Sequence, residues 1–400
     1  MRPIHFYMFG TGSWFLAFGI QGVMFAWLVT MVLRESPEMV GLAQMTLLLP
    51  AMLLMLVGGS LADRFGGRRM AIVAQLASVV APLMLLTVVW FDQLTLSSML
   101  LYAVLMGCAV AFVTPARDGL LNHVAEGRIQ RTVLLTSVMQ FSMQMLGFLI
   151  ASLADDTGPV VILGVQAAVL AIGVFGFLRV PATTPEPVED RPSLLQSVVE
   201  GAKTVLRHRA MRMVMVQNFA MGLLFMGSFI VTLPLLVREV FDGTAADLGL
   251  MNATNSVGLV ATILLLLRLG DVQRQGRALI LAQLLGSVVL AIAATVANFA
   301  LLLTTLFFWG ACGGIAMTMS RTIMQEQAPD AQRGRVMGFY SFSFMGAGPL
   351  GALLSGYLVE QFGAQMALLI AASMMFVFIV LIGLQSSLWR MKIAPVPVQP

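Results

Sequence analysis

The sequence is poor in charge, since only 10% of its 400 residues are Asp, Glu, Lys or Arg and 59% are hydrophobic. A soluble domain carries about 25% charged residues, with which it covers its water-facing surface. A chain with so few charges cannot do so. The composition therefore excludes a soluble protein and predicts an integral membrane protein. The net charge of +4 is then better explained by charged loops beside a membrane than by a nucleic-acid partner, and we expect none.

The sequence also has few residues that carry chemistry. Its two cysteines, Cys108 and Cys312, both lie in apolar stretches, which argues against a disulfide framework and against a thiolate metal site. The three histidines are far apart, and the sequence contains no HExxH, GxSxG, Walker A or GxGxxG motif. We therefore expect no catalytic residues, no metal and no cofactor, and we do not expect an enzyme.

What the sequence does contain is a series of long apolar segments. A helix needs about 20 apolar residues to cross a bilayer, and backbone groups in lipid must pair within the helix. These rules predict an all-α membrane protein with twelve transmembrane helices. The twelve segments are 6–33, 39–62, 68–91, 94–115, 130–153, 158–180, 211–237, 246–268, 277–297, 299–320, 335–359 and 364–389.

The positive charges predict the orientation of these helices. Twelve crossings place both termini on one side of the membrane. The loops after odd-numbered segments hold only Arg34 and Arg238, so the even-numbered loops and the termini hold 21 of the 23 Lys and Arg residues. Because cytoplasmic loops carry the excess of Lys and Arg, we predict that both termini are cytoplasmic in a bacterial-type inner membrane.

A central linker divides six helices from six. Residues 181–192, PATTPEPVEDRP, contain four prolines and cannot form a membrane helix. The next stretch, 193–209, has apolar residues on one helical face and Glu200, Lys203, Arg207 and Arg209 on the other. It predicts an amphipathic helix on the inner leaflet, with a solvated connector as the alternative. The predicted organisation is an N-terminal half 1–180, a cytoplasmic linker 181–210, a C-terminal half 211–389 and a cytoplasmic tail 390–400.

The two halves repeat each other. When they are aligned at an offset of about 208 residues, or 204 in places, charged and polar residues coincide at the same topological points. The coinciding pairs are Asp63 with Asp271, Arg69 with Arg277, Gln75 with Gln283, Arg34 with Arg238 and Arg117 with Arg321. This repetition indicates a duplicated six-helix unit, and parallel repeats of this kind occur in secondary transporters.

The turn between helices 2 and 3 contains a sequence motif that resembles a family signature. Residues 58–70, GGSLADRFGGRRM, resemble the signature of the major facilitator superfamily, G-x-L-A-D-R-x-G-R-[RK], with Gly67 where Arg is usual. A degraded copy, LGDVQRQGR, lies at the equivalent place in the second half. The resemblance covers the whole chain. It implies the major facilitator fold of two pseudo-symmetric halves and secondary transport by alternating access.

The resemblance also implies a role for the turn. In the family it braces helix 2 against helix 11 of the other half when the cytoplasmic side is closed. It therefore assigns a conformational latch to Asp63, Arg64, Gly66, Arg68 and Arg117. The alternative for the arginines is a plain positive anchor, which does not explain the carboxylate of Asp63.

Two further stretches point to a subgroup. VTPARDGLLNHVAEGRIQR after helix 4 and RGRVMGFYSFSFMGAGPLGALLSGY in helix 11 resemble siderophore and drug exporters related to the enterobactin exporter. A proton is the candidate coupling ion. Against it, Ala103 stands where drug/proton antiporters carry an Arg four residues before Gly107, and helix 5 lacks their G-P-x-x-G pattern.

The cargo class is predicted from what lies at mid-depth in the membrane. No charged residue lies near the middle of any segment, which argues against a buried site for an anionic metabolite. The polar groups there are amides, surrounded by a chain with 30 Met and 25 Phe that suit varied apolar shapes. The predicted cavity residues are Gln21, Gln140, Gln144, Asn255 and the shallower Asn218. The alternative for each is helix–helix hydrogen bonding.

Together these features predict a monomeric secondary transporter that exports a small amphipathic organic compound, either a drug or a siderophore-like molecule. One alternative is an importer or flippase of a lysolipid-like molecule. An alternative of another class is a membrane receptor or scaffold that has lost transport, with which the degraded second turn would be compatible.

Overall fold

The structure is a computed structural model, and it describes residues 3–124, 129–181, 202–269, 272–329 and 333–390. Within these ranges the chain forms long helices joined by short loops, and each of the twelve predicted segments is matched by one helix. The helices are α1 Pro3–Val32, α2 Pro37–Phe65, α3 Gly67–Trp90, α4 Leu96–Val124, α5 Ile129–Ala151, α6 Pro159–Arg179, α7 Arg209–Phe241, α8 Ala245–Leu269, α9 Gln275–Ala293, α10 Phe299–Gln327, α11 Arg333–Phe362 and α12 Ala364–Gln385.

Eleven of these helices are long and apolar enough to cross a membrane, and α5 contributes the shorter apolar stretch Leu135–Ala151. The loop chemistry explains where helices begin and end. Before α2, Ser36 accepts a hydrogen bond from the Met39 N–H at 3.5 Å, and Pro37 occupies the first helical position. Between α2 and α3, Gly66 has a φ of 87°, a conformation that favours glycine. The predicted all-helical membrane fold is confirmed.

Four helices are irregular, which the apolar pattern does not predict. The helix α3 is interrupted at Val79, between Gly67–Ser78 and Val80–Trp90. The helix α1 ends in a π-helical turn, Leu28–Val32, and α7 contains two, Met221–Met226 and Ser228–Thr232. The helix α11 consists of two pieces, Arg333–Met345 and Gly348–Phe362. Such irregularities bend a helix or free backbone groups for other partners.

The chain divides into two compact units. The first contains the N-terminal residues up to 191 together with Leu233–Ala253, and the second contains Pro192–Thr232 together with the residues from 254 onward. The ends of α7 and α8 around the loop between them therefore belong to the first unit. Residues 182–201, which include the first part of the predicted amphipathic helix 193–209, and the tail 391–400 lie outside the described residues.

Each unit is held together by close helix contacts at glycines. In the first unit, Gly19 of α1 faces Gly147 of α5, and in the second unit Gly227 of α7 faces Gly351 of α11. At each of these positions a Cβ atom would meet the backbone of the facing helix. Small residues of this kind let helix backbones approach closely in a membrane, where packing drives association.

The internal duplication is visible in matching polar contacts. In the first unit, the Gln75 amide of α3 donates to Ser13 Oγ of α1 at 3.1 Å. In the second unit, the Gln283 amide of α9 contacts Met221 Sδ of α7 at 3.0 Å. Both residues of each pair are related by the same offset of 208 residues. Equivalent helices therefore meet through equivalent positions in the two halves, although the acceptor atom has changed.

Candidate functional site

The amide of Gln21 is the most deeply buried of the predicted cavity residues. It lies on α1 and is 2% exposed. Its Oε1 atom has no hydrogen-bond partner within the described part of the chain. A buried acceptor without a partner costs free energy, so such an atom is a candidate contact for a ligand or a water.

The other two glutamines predicted for the cavity lie on α5. Gln140 and Gln144 are both partly exposed. The backbone carbonyl of Gln144 packs against Gly19, which places this part of α5 directly beside α1. These two residues and Gln21 thus belong to one pair of packed helices in the first unit.

Both asparagines of the predicted set join helices within the second unit. The Asn218 amide of α7 donates to the Tyr340 carbonyl at 3.0 Å and to Ser343 Oγ at 2.8 Å, both on α11. The Asn255 amide of α8 donates to the Leu306 carbonyl of α10 at 3.3 Å. Helix–helix hydrogen bonding, the alternative for these residues, is therefore what the structure shows, and a role in cargo binding remains only a prediction.

Two further glutamines, which the sequence pattern did not mark as cavity residues, are buried among the helices. Gln166 of α6 donates to the Tyr102 hydroxyl at 3.0 Å and to the Ala17 carbonyl at 3.4 Å, which joins α6 to α4 and α1. Gln217 of α7 is 1% exposed, and neither of its side-chain polar atoms has a partner among the described residues. The signal that could have found both was the same, an amide inside an otherwise apolar span.

The predicted latch residues near the α2–α3 turn have different surroundings. The side chain of Asp63 lies outside the described part of the structure. Arg64 is exposed, and its guanidinium lies 5.7 Å from the centre of the Phe65 ring. Arg68 donates to the carbonyls of Phe177 at 3.2 Å and Leu178 at 2.5 Å, at the end of α6. A cation is favourable there because the carbonyls at a helix C-terminus carry partial negative charge.

Arg117, the last of the predicted latch residues, is buried rather than exposed at the mouth. Its side chain is 8% exposed, and its guanidinium stacks 4.3 Å from the centre of the Phe15 ring of α1. One of its terminal nitrogens has no hydrogen-bond partner in the ranges that the structure describes. Arg117 therefore fixes α4 against α1, and its role in a latch stays a prediction.

A contact at the odd-numbered loops joins helices of both sequence halves. Arg238 of α7 donates to the Thr30 carbonyl at 3.1 Å and to the Glu35 carbonyl at 2.9 Å. Thr30 lies in the π-helical turn that ends α1, where helix carbonyls lack partners of their own. The guanidinium also pairs with the neighbouring Glu239 carboxylate at 3.0 Å. Arg238 thus caps the C-terminus of α1.

A second hydrogen bond lies on the same side. Asp155, which follows α5, accepts a hydrogen bond from the Ala245 N–H at 2.6 Å. Ala245 is the first residue of α8, so the carboxylate faces the positive end of that helix. One turn further on, Gly249 packs against Ser152 and the Phe148 carbonyl. We call the bonds of Arg238 and Asp155 the outer contact, because the sequence predicts that the odd-numbered loops lie outside the cytoplasm. All its residues belong to the first unit.

No group of three or more His, Cys, Asp or Glu side chains comes together in the ranges that the structure describes. Arg117 is the one charged side chain in the buried set of those ranges. The site is therefore a set of buried amides and hydroxyls, with charged groups at the ends of the helices.

Comparison with known proteins agrees with this arrangement. The profile of the MFS_3 family, described as transmembrane secretion effector, matches residues 7–397. The chain is 24% identical to the staphyloferrin A transporter of Staphylococcus aureus over 88% of this chain and 87% of that protein. It is 26% identical to the enterobactin exporter EntS of Shigella boydii over 90% of this chain and 84% of that protein.

The fold is also similar to that of solved structures. The nucleoside transporter NupG superposes with a TM-score of 0.75 at 14% identity, covering 98% of this chain and 100% of that chain. An autoinhibited POT family peptide transporter superposes with a TM-score of 0.77 at 16% identity, covering 100% of this chain and 99% of that chain. The predicted architecture of two related six-helix halves is confirmed.

Proposed function

Because the chain belongs to the MFS_3 family of transmembrane secretion effectors, a family of membrane transporters, we propose that it exports a siderophore-like amphipathic molecule by alternating access. Siderophore-like describes the cargo by analogy with the relatives, whose names refer to staphyloferrin A and enterobactin. The family match shows a transporter of small molecules. The siderophore-like cargo and the alternating-access mechanism are what we propose.

The observation that supports the mechanism is the outer contact. Alternating access requires a set of bonds that closes one side and can be broken. Arg238 and Asp155 provide two charge-assisted hydrogen bonds between segments of different sequence halves, at 2.9 Å to the Glu35 carbonyl in the loop after α1 and 2.6 Å to the Ala245 N–H. The turn that contains Asp63 is the proposed counterpart at the even-numbered loops, as the family resemblance implies.

The cargo class follows from the buried polar groups. The amide of Gln21 offers a buried hydrogen-bonding atom on α1, a helix that contains no Asp, Glu, Lys or Arg. A neutral site of this kind binds mainly through buried apolar area, with a few polar groups that orient the ligand. It suits an amphipathic organic molecule better than a small, highly charged metabolite.

The experiment that tests the function is export measured in inverted membrane vesicles that contain the whole chain. Accumulation of enterobactin, which one relative's name specifies, or of an amphipathic dye is expected in these vesicles and absent from vesicles without the protein. If a proton is the coupling ion, a protonophore that collapses the proton gradient should abolish this accumulation. Transport of a lysolipid in the opposite direction would support the importer or flippase, and no transport of any compound would support the receptor or scaffold.

The proposed orientation places both termini and the 181–210 linker in the cytoplasm and the outer contact on the other side. A reporter that is active only in the cytoplasm should be active when fused after Pro187 or Pro400. The same reporter should be inactive after Asp156 or Gly243, because those loops carry few positive charges. Activity after Gly243 would contradict the twelve-helix orientation.

A substitution at Gln21 tests the neutral cavity. We expect Q21A to weaken the apparent affinity for cargo by no more than roughly tenfold and unequally across compounds, because one hydrogen bond contributes only about 0.5–1.5 kcal/mol net. Q21E should impair neutral and anionic compounds and spare cationic ones, because a buried carboxylate must find a cation or take up a proton.

The measurement is a transport series of neutral, cationic and anionic compounds in both variants. Q21M serves as the control, because methionine keeps the length of the side chain but loses the amide. Loss of every compound in Q21A, with the protein still folded in the membrane, would contradict a neutral apolar cavity and indicate a specific polar site.

A further inference from the structure

The second unit has a cavity on the pair of helices α9 and α12, at the end of the pair that joins even-numbered loops and the C-terminus. Its volume is about 630 Å³. Apolar side chains from both helices form its walls, among them Ile280, Leu284 and Ile379. The start of α7 and the short helix after α12 close its end. All of these residues belong to one unit, so the cavity is complete within it.

Polar groups collect at the loop end of this cavity. The guanidinium of Arg209 is exposed and donates to the Gln385 carbonyl at 2.7 Å. The hydroxyl oxygen of Ser386 is buried, and no described residue pairs with it. Both residues line the cavity, whose described lining contains no carboxylate. A donor-rich end without an acid is complementary to an anion.

An aromatic residue lies at the same level. Trp389 is 37% exposed and lines the cavity. The Arg277 guanidinium lies 5.2 Å from the centre of its indole and donates to its carbonyl at 2.9 Å. Tryptophan is enriched at the level of lipid headgroups, where one part of the ring is apolar and the other is wet.

The same two helices form a second cavity further along the membrane direction. It measures about 610 Å³ and is lined by residues such as Val288, Ile292, Phe376 and Val377. From residue 280 to its end at residue 293 the helix α9 rises about 20 Å, most of a hydrocarbon core about 30 Å thick. The two cavities thus follow one another along α9 and α12, and we call them together the furrow.

We propose that this furrow binds an anionic phospholipid, with its phosphate at Arg209 and Ser386 and an acyl chain between α9 and α12. The polar groups at the loop end account for the headgroup, and the apolar furrow accounts for the chain. A soluble phosphate ion has no apolar part that could fill the furrow. A neutral lipid would gain no charge interaction from the arginine at the loop end of the furrow. Basic pockets between membrane helices on the cytoplasmic side bind anionic headgroups.

The test uses the full chain in nanodiscs of phosphatidylcholine, alone or with a minority of phosphatidylglycerol, with bromine on the acyl chains of one lipid at a time. Bromine quenches nearby indoles, and the difference between the wild type and W389F isolates the signal of Trp389. We expect brominated phosphatidylglycerol to quench Trp389 more than its share of the lipid predicts. R209Q should lower this preference by about fivefold.

The matched control is R212Q, because Arg212 is an exposed arginine on the same helix but does not line the cavity. It should leave the preference unchanged, and S386A, a milder variant, should lower it partly. Equal quenching by both lipids in the wild type would overturn the proposal, as would full competition by inorganic phosphate or an equal effect of R209Q and R212Q.

Discussion

Replacement of Arg238 by glutamine is expected to open the outer contact. The guanidinium donates to two main-chain carbonyls at the end of α1, those of Thr30 and Glu35. Hydrogen bonds that involve a charged group contribute about 1.5–3 kcal/mol each when they are buried. Loss of one of them should shift the equilibrium between the outer-closed and outer-open states by roughly tenfold to one-hundred-fold. Export should fall, because one state of the cycle becomes too rare.

The measurement is thiol labelling of T30C in a chain without Cys108 and Cys312. Thr30 is fully buried beside the contact, so a membrane-impermeant maleimide should reach this position only in the outer-open state. R238Q should speed the labelling. R34Q is the control, because Arg34 is the other arginine on this side and is exposed. If both variants label at the same rate, the outer contact does not hold that side closed.

The variant D63N should act in the opposite direction. If Asp63 belongs to a latch on the cytoplasmic side, its loss should favour the state that is open there and closed outside. Labelling of T30C should then become slower, and export should fall strongly, since about 1.4 kcal/mol shifts the equilibrium tenfold. Normal export by D63N would contradict the latch. D271N, in the degraded second copy, should have a smaller effect.

The second large effect is expected at the contact between α1 and α5. In G19A the new methyl group would meet the carbonyl oxygen of Gln144 and lie 3.0 Å from the Gly147 Cα. A backbone cannot give way as a flexible side chain can, so the two helices must separate. Overpacking of this kind costs about 1–3 kcal/mol of the free energy of unfolding. Less folded protein and a lower melting temperature in detergent should result.

The control for this variant lies one turn away on the same helix. In G22A the nearest atom to the new methyl group is Phe148 Cε1 at 3.4 Å, an ordinary contact with a side chain. Both variants add the same methyl group and gain the same helix propensity. Equal melting temperatures for G19A and G22A would show that α1 and α5 are not closely packed at Gly19.

The long helices could be predicted from the sequence because each crossing needs a long apolar run, and the family could be predicted because the turn at residues 58–70 has a dense motif. The transporter class is confirmed by the family match over residues 7–397. The duplication could be predicted because Gln75 and Gln283 keep their place in the pattern, and both make the same kind of helix contact.

The outer contact could not be predicted in the same way. The acceptors of Arg238 are main-chain carbonyls 208 and 203 residues away, and every residue has such a carbonyl. No residue pattern therefore marks the pairing. The one signal was the position of Arg238, since it is one of only two basic residues in the odd-numbered loops. The π-helical turns were equally hidden, because they depend on backbone pairing rather than on residue type.

The outer contact also bears on the history of the chain. Arg34 and Arg238 occupy equivalent places in the duplicated halves, and an ancestor of two identical copies could have made the same cap in both directions. In the present protein Arg238 caps α1, whereas Arg34 is exposed to solvent. Among the described contacts, only one of the two duplicated arginines forms this cap. Mutations at equivalent positions of the two halves are therefore not expected to have equivalent consequences.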